Sequence, residues 1–298
     1  MLPYFVLDQI SVGPVKVYIW GLFVGLGFSA GYLLLLYLVY PARDSVSGGA
    51  RQKNLAPAKI AGLALTIFLG GILGAKVLAI AQLPGGFFKN INLILSQHNG
   101  AMFMGGFVGA ILFGWLYVRW VKWSFWAIAD LLVLPIALGI GVGRIGCILI
   151  NDHQGAITNL PWAILWPDGI ARHPVGIYES LLGFGLLAVF WWIRNRLLPE
   201  RSAELAPPDW AGASRGAESK ADPSTRYARS GNNGFLFLSF LLSYFVLRFL
   251  LDFTRASIGP LADPRWGILS ASQWVALVII LLSIFCLRKK IQENKKAP

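Results

Sequence analysis

The sequence predicts an all-α, polytopic membrane protein with seven transmembrane helices, on three observations. Of its 298 residues 56% are hydrophobic and only 13% are charged, and the mean hydropathy is +0.62, a balance unlike that of a soluble globular chain. The apolar residues gather into runs approaching the roughly 20 residues that a helix needs to cross a bilayer. The basic residues stand mainly in short segments between those runs, the pattern by which membrane proteins set their orientation. The net charge of +12 therefore reflects topology. It implies the lipid bilayer as a partner and no nucleic acid.

Met1 to Pro14 is expected as a short outer segment, in the form of an interfacial helix. It lacks the basic start and small-residue cleavage site of a signal peptide. The first span is expected over about 17–40, followed by a basic segment, and the second over about 60–83. Gly70, Gly71 and Gly74 in the second span are small enough to let helices pack closely. A loop with a short amphipathic piece, Phe87 to Leu95, leads to the third span over about 101–118, which opens Met104-Gly105-Gly106. A basic turn then leads to the fourth span, about 125–143, with Pro135 inside it. A polar excursion over about 144–172 is long enough for a small outer subdomain. The fifth span covers about 174–193. The segment at about 194–234 is rich in Ala, Pro, Ser, Gly and charge, a composition that reads as a flexible cytoplasmic loop. Spans six and seven cover about 235–251 and 269–287. The whole chain, 1–298, is read as one integral membrane domain. One set of connecting segments holds 18 of the 26 Lys and Arg. That places the C-terminus in the cytoplasm and the N-terminus outside. Cys147 and Cys286 then fall on opposite sides of the membrane, where no disulfide can join them.

The stretch Leu138 to Gly155, LGIGVGRIGCILINDHQG, is expected to pass from an apolar helix into a polar turn, with Arg144 at the junction. An arginine at the membrane boundary must snorkel, pair or bind an anion, and its planar fork suits phosphate oxygens. One reading is a phosphate or lipid-headgroup site; the other is an arginine bonded to loop carbonyls. Arg248 and Arg255 are two helical turns apart and share one face, with Asp252 four residues after Arg248. A salt-bridged helix end would use Asp252 alone. If all three arginines converge, their surplus charge calls for an anion. His173-Pro174 begins the fifth span as a cap, with Tyr178 and Glu179 inside it. Glu179 either holds helices together or orients one of the arginines. His98, His153 and His173 are the only histidines and the obvious residues for proton transfer. The sequence singles out none of them, and no spacing marks a metal site.

Taken together, Gly143-Arg144-Ile145-Gly146, His173-Pro174 to Tyr178-Glu179, and Arg248/Asp252/Arg255 resemble the bacterial phosphatidylglycerol–prolipoprotein diacylglyceryl transferase family. Met104-Gly105-Gly106, Ser272-Gln273-Trp274 and the seven spans fit as well. The resemblance implies an enzyme of the bacterial inner membrane whose partners are phosphatidylglycerol and the preprolipoprotein lipobox. It would transfer a diacylglyceryl group to the lipobox cysteine thiol at the outer face, with no cofactor. Arg144 and Arg248 match the functional arginines. Arg255 and the pair Tyr178/Glu179 match further motif positions, and His173 opens the same element as that pair. Asp252 with Glu179 would orient the arginines, and Gly105, Gly106, Gly143 and Gly146 would shape the cavity. The chain departs from the family at Met104, where a histidine is usual. It also has Cys147 and Ile150 in place of two asparagines, and Asp152 and Asp252 in place of two glutamates. His98 and His153 are the candidates to supply the missing base. A thiol beside Arg144 and Arg248 would need such a base less.

Overall fold

The computed structural model describes residues 1–40, 57–81, 83, 86–92, 103–197, 234–257 and 265–296. These residues are mostly helical. The helices are α1 (Ile19–Val39), α2 (Pro57–Ala81), α3 (Gly86–Asn90), α4 (Phe103–Trp120), α5 (Phe125–Ile150), α6 (Val175–Leu197), α7 (Phe235–Leu251) and α8 (Ala271–Lys296). Six of these, α1, α2 and α5–α8 (α7 taken through Thr254), are long and apolar enough to cross a membrane. The 18-residue α4 stands where the third span is expected and is not among the six. The expected loop over about 194–234 falls mostly, and the residues around His98 entirely, outside the described residues.

Two expectations are corrected. Met1 to Pro14 is not an interfacial helix: β1 (Leu2–Pro3) and β2 (Gln9–Val12) occupy it, and β2 pairs antiparallel with β3 (Val15–Tyr18). Residues such as Val12, Val15 and Val17 suit a pleated strand, and Gly13 at φ 60° turns the hairpin. The fourth span does not stop at Gly143. α5 continues to Ile150, so Arg144 lies inside the helix. Gly139, Gly141 and Gly146 serve close helix packing there, and none of the glycines around Arg144 breaks the helix.

The described residues divide into two compact units. One holds α2, α3 and α4. There Gly74 and Gly105 lie against each other's backbone, as do Gly70 and Gly109, so a β-carbon at any of these positions would collide with the facing helix. Tyr117 closes the pair at the far end by donating to the Lys59 carbonyl at 2.8 Å.

The other unit holds α1, most of α5, α6–α8 and all seven strands. α1 packs on α5 through Gly27 against Gly139 and Gly31 against Pro135. α6 packs on α5 at Gly183 and Gly141, and Ser180 Oγ donates to the Gly141 carbonyl at 2.9 Å. The start of α7 is tied to α5 by Asp130, whose buried carboxylate accepts from the backbone N–H of Gly234 at 2.7 Å and of Phe237 at 2.8 Å. Those N–H groups have no partner within α7.

Residues 151–174 form an irregular layer that includes β4 (Ile164–Leu165) and β5 (Ala171–Arg172). β4 pairs parallel with β1 and antiparallel with β5. Asn151, at φ 47°, turns the chain out of α5, and its Nδ2 donates to the Phe5 carbonyl at 2.7 Å. The layer is laced to the end of α7: Ala156 N donates to Thr254 O at 2.8 Å, and Ala256 N to Gln154 O at 2.9 Å. β6 (Arg265–Trp266) and β7 (Leu269–Ser270) form a hairpin leading into α8.

Candidate active site

The site begins with two buried carboxylates near helix ends. Glu179, one turn into α6, is 2% exposed, and Asp252, just past the end of α7, is 1% exposed. Burial of an ionised carboxylate is costly without paired charge and hydrogen bonds, and three arginines supply both.

Arg255 Nη2 donates to Glu179 Oε1 at 2.8 Å, and Arg248 Nη2 stands 3.5 Å from the same oxygen. The other oxygen, Oε2, lies 2.8 Å from Arg144 Nη1, out of line for a hydrogen bond. Arg248 Nη1 also donates to Asp252 Oδ1 at 2.8 Å, and Arg255 Nε is 3.5 Å from that atom. Glu179 thus touches three arginines, where the sequence suggested one. With the carboxylates ionised, three guanidinium groups face two negative charges, leaving a surplus of one positive charge. The side chains of Arg144 and Arg248 are 17% and 12% exposed and that of Arg255 is 9%. The first two are the arginines with most access to a ligand.

Asp252 is held from the start of α8. Ser272 Oγ donates to its Oδ1 at 3.0 Å, and Ser270 Oγ donates to its Oδ2. The same Ser270 hydroxyl accepts from Gln273 N at 3.2 Å, while Gln273 Oε1 accepts from Ser270 N at 3.0 Å. This is a reciprocal capping box, Ser-x-x-Gln. The sequence carries it as Ser270-Ala271-Ser272-Gln273. Sequence reasoning took the last two residues only as family markers and missed Ser270.

Tyr178 turns away from Glu179. Its hydroxyl accepts from Trp162 Nε1 at 2.8 Å and pairs with His173 Nδ1 at 3.2 Å. Burial holds the half-buried His173 imidazole below its ordinary value of 6.5. His173 lies against Gly155, where a β-carbon would collide with its carbonyl. His153 Nδ1 lies 2.9 Å from Asp152 Oδ1. Both histidines line a small cleft with Cys147, Asn151 and Trp166. Cys147, one turn beyond Arg144, receives a weak hydrogen bond from Arg144 Nη1 at 3.8 Å.

The structure therefore brings together Arg144, Arg248, Arg255, Asp252 and Glu179, and sets His173 and His153 in the neighbouring 151–174 layer, which Tyr178 meets from the first turn of α6. The four glycines have other neighbours. Gly105 and Gly106 face α2, Gly146 faces Phe23 of α1, and Gly143 has open space where a β-carbon would stand. His98 lies outside the described residues.

Comparison with known proteins gives a consistent answer. The sequence model of the family described as prolipoprotein diacylglyceryl transferase matches residues 8–206. Three relatives are each named phosphatidylglycerol–prolipoprotein diacylglyceryl transferase. The one from Desulfotalea psychrophila is 32% identical over 200 residues, covering 66% of this chain and 70% of its own. That from Azotobacter vinelandii is 27% identical over 290 residues, covering 94% and 93%. The one from Methylococcus capsulatus is 29% identical over 294 residues, covering 96% and 97%. The last two alignments extend well beyond the family match, which ends before Arg248.

Proposed function

Since this chain belongs to the prolipoprotein diacylglyceryl transferase family, we propose that it is a membrane enzyme that moves a diacylglyceryl group from phosphatidylglycerol to the lipobox cysteine thiol of a preprolipoprotein. The observation that carries this reading is the surplus positive charge of Arg144, Arg248 and Arg255 over Glu179 and Asp252. A phosphodiester supplies the missing negative charge. The thiol sulfur forms a bond to the glycerol carbon of the diacylglyceryl group, the bond from that carbon to the phosphate oxygen breaks, and glycerol phosphate leaves. Arg144 and Arg248 hold the phosphate and stabilise the charge that grows on it. Arg255 is the secondary cation, and Glu179 and Asp252 orient the guanidinium groups. Tyr178 and His173 border the lipid and peptide path. The thiol proton passes to His153, the histidine in contact with a carboxylate and open to the cleft.

In the membrane, α4 serves as the third of seven spans, with the N-terminus outside and the C-terminus in the cytoplasm. The strands and the 151–174 layer then face outward from the bacterial inner membrane. The charge asymmetry of the connecting segments supports this orientation.

The test is complementation of a bacterial strain depleted of its own transferase, comparing the wild-type chain with Arg144→Ala and Arg248→Ala. Rescue by the wild type alone, at equal protein levels, is the expected result. Rescue by both variants overturns the arginine site. Met104, in place of the usual histidine, favours a second reading: a non-catalytic relative that binds anionic lipid. Purified protein that binds phosphatidylglycerol but forms no thioether on a lipobox peptide would select it.

A further inference from the structure

We propose that Cys147, Asp152 and His153 form a binding site for a borderline-soft divalent cation, with zinc as the best chemical fit. Their ligand atoms all lie within 4.8 Å of one another. The spacing Cys-x4-Asp-His matches no familiar metal motif, and the backbone makes the site. Cys147 lies in the last turn of α5. Asn151 N donates to the Cys147 carbonyl at 3.0 Å, and Asn151, at φ 47°, folds the chain back. Asp152 and His153 are thereby returned to the thiol.

Two further observations point to a cation. Asp152 Oδ1 is buried and accepts no hydrogen bond, although His153 Nδ1 is only 2.9 Å away. A buried carboxylate oxygen in that state lacks the donor such atoms ordinarily find. Cys147 and His153 also border the same cleft, which gives the ion a way in. In a tetrahedral zinc site, with bonds of about 2.0–2.3 Å, neighbouring donors stand roughly 3.5 Å apart. Closure therefore needs side-chain shifts of about 1 Å, with cleft water as the fourth ligand. On binding, the Cys147 thiol gives its proton to water and a metal–sulfur bond forms. Thiolate and carboxylate then balance the dication. Arg144 Nη1, 3.8 Å from the sulfur, becomes an outer hydrogen-bond donor to it. Thiolate and imidazole favour zinc over calcium or magnesium.

The site has a consequence for catalysis that, unlike the site itself, rests on the function proposed above. An ion on His153 and Asp152 removes the proton acceptor for the substrate thiol, so zinc inhibits transfer.

The experiment titrates the purified full chain with Co2+ as a spectroscopic stand-in for zinc. A sulfur-to-cobalt charge-transfer band is expected in the wild type and in Cys286→Ser, and none in Cys147→Ser. His153→Ala should weaken cobalt binding at least about tenfold, a loss that even outer-shell changes can produce, and Zn2+ should displace the cobalt. A missing band in the wild type, or one that survives Cys147→Ser, overturns the proposal. In a parallel assay of thioether formation, Zn2+ should slow the wild type far more than Cys147→Ser, each measured against its own zinc-free rate. A cobalt band without zinc inhibition keeps the metal site and overturns His153 as the proton acceptor.

Discussion

Glu179 Oε2 sits 2.8 Å from Arg144 Nη1 without accepting a hydrogen bond from it. Arg144 can therefore turn toward a ligand without breaking a hydrogen bond to Glu179. The other oxygen is engaged by Arg255. Glu179→Gln removes the charge that three arginines share. Breaking buried ion pairs of this kind costs about 3–5 kcal/mol. The variant is expected to unfold at a lower temperature in detergent and to lose transferase activity. Unchanged thermal stability would show that the arginines do not depend on this carboxylate.

Arg248→Lys keeps the charge and loses the fork that reaches both Asp252 and Glu179. A fall in diacylglyceryl transfer from phosphatidylglycerol of about tenfold or more is expected, equivalent to about 1.4 kcal/mol or more of lost transition-state stabilisation. Steady-state kinetics with a lipobox peptide measures it. Full activity would mean that positive charge alone suffices.

Ser270 joins the cap of α8 to Asp252. Ser270→Ala should lower stability by about 0.5–2 kcal/mol, the usual loss of an N-cap. It should also lower activity through the freed Asp252. Ser270→Thr, which retains the hydroxyl, should recover most of both in thermal unfolding and activity assays.

The two glycine sets differ in what surrounds them. A methyl group at Gly105 collides with the Gly74 backbone, whereas one at Gly143 meets nothing within 4 Å. Gly105→Ala should therefore destabilise by about 1–3 kcal/mol. Gly143→Ala should be neutral or stabilising by up to about 1 kcal/mol, because alanine is the better helix former. Thermal unfolding of the two variants side by side distinguishes these effects.

His173 is expected to titrate below its ordinary value of 6.5, followed by NMR of ring-labelled protein. Its folded value lies below its unfolded value, so its contribution to stability is complete above pH 6.5. That contribution is lost as pH falls from 6.5 through the folded value. A His173 resonance titrating at or above 6.5 would contradict the burial seen beside Tyr178.

Much of this arrangement is readable from the sequence, because apolar run length fixes a membrane helix almost by itself. The expected spans match helices α1, α2 and α4–α8 to within a few residues, except that α5 and α8 run on to Ile150 and Lys296. Four glycines within eight residues looked like a helix end, yet tertiary packing on α1 and α6 keeps them helical. The pairing of Arg248 with Asp252 follows from i,i+4 spacing. That Glu179 also gathers Arg144 and Arg255 depends on how α5, α6 and α7 approach one another, which no local pattern encodes. The strands escape a sequence pattern because each is only two to four residues long, and β1 pairs with β4 some 160 residues away. The nearness of Cys147 to His153 depends on one left-handed residue, Asn151.

The pairing of Leu2 with Ile164, and of Phe5 with Asn151, sets an order of events during biosynthesis. At roughly 5–20 residues per second, some 160 residues of separation mean a wait of about 10–30 s. Through that interval the earliest strand has no partner to pair with, and such long-range closures are slow in any chain. Arg248 and Arg255 are added later still. If the arginine site proposed above carries the reaction, the nascent chain is inactive until nearly all of it has left the ribosome.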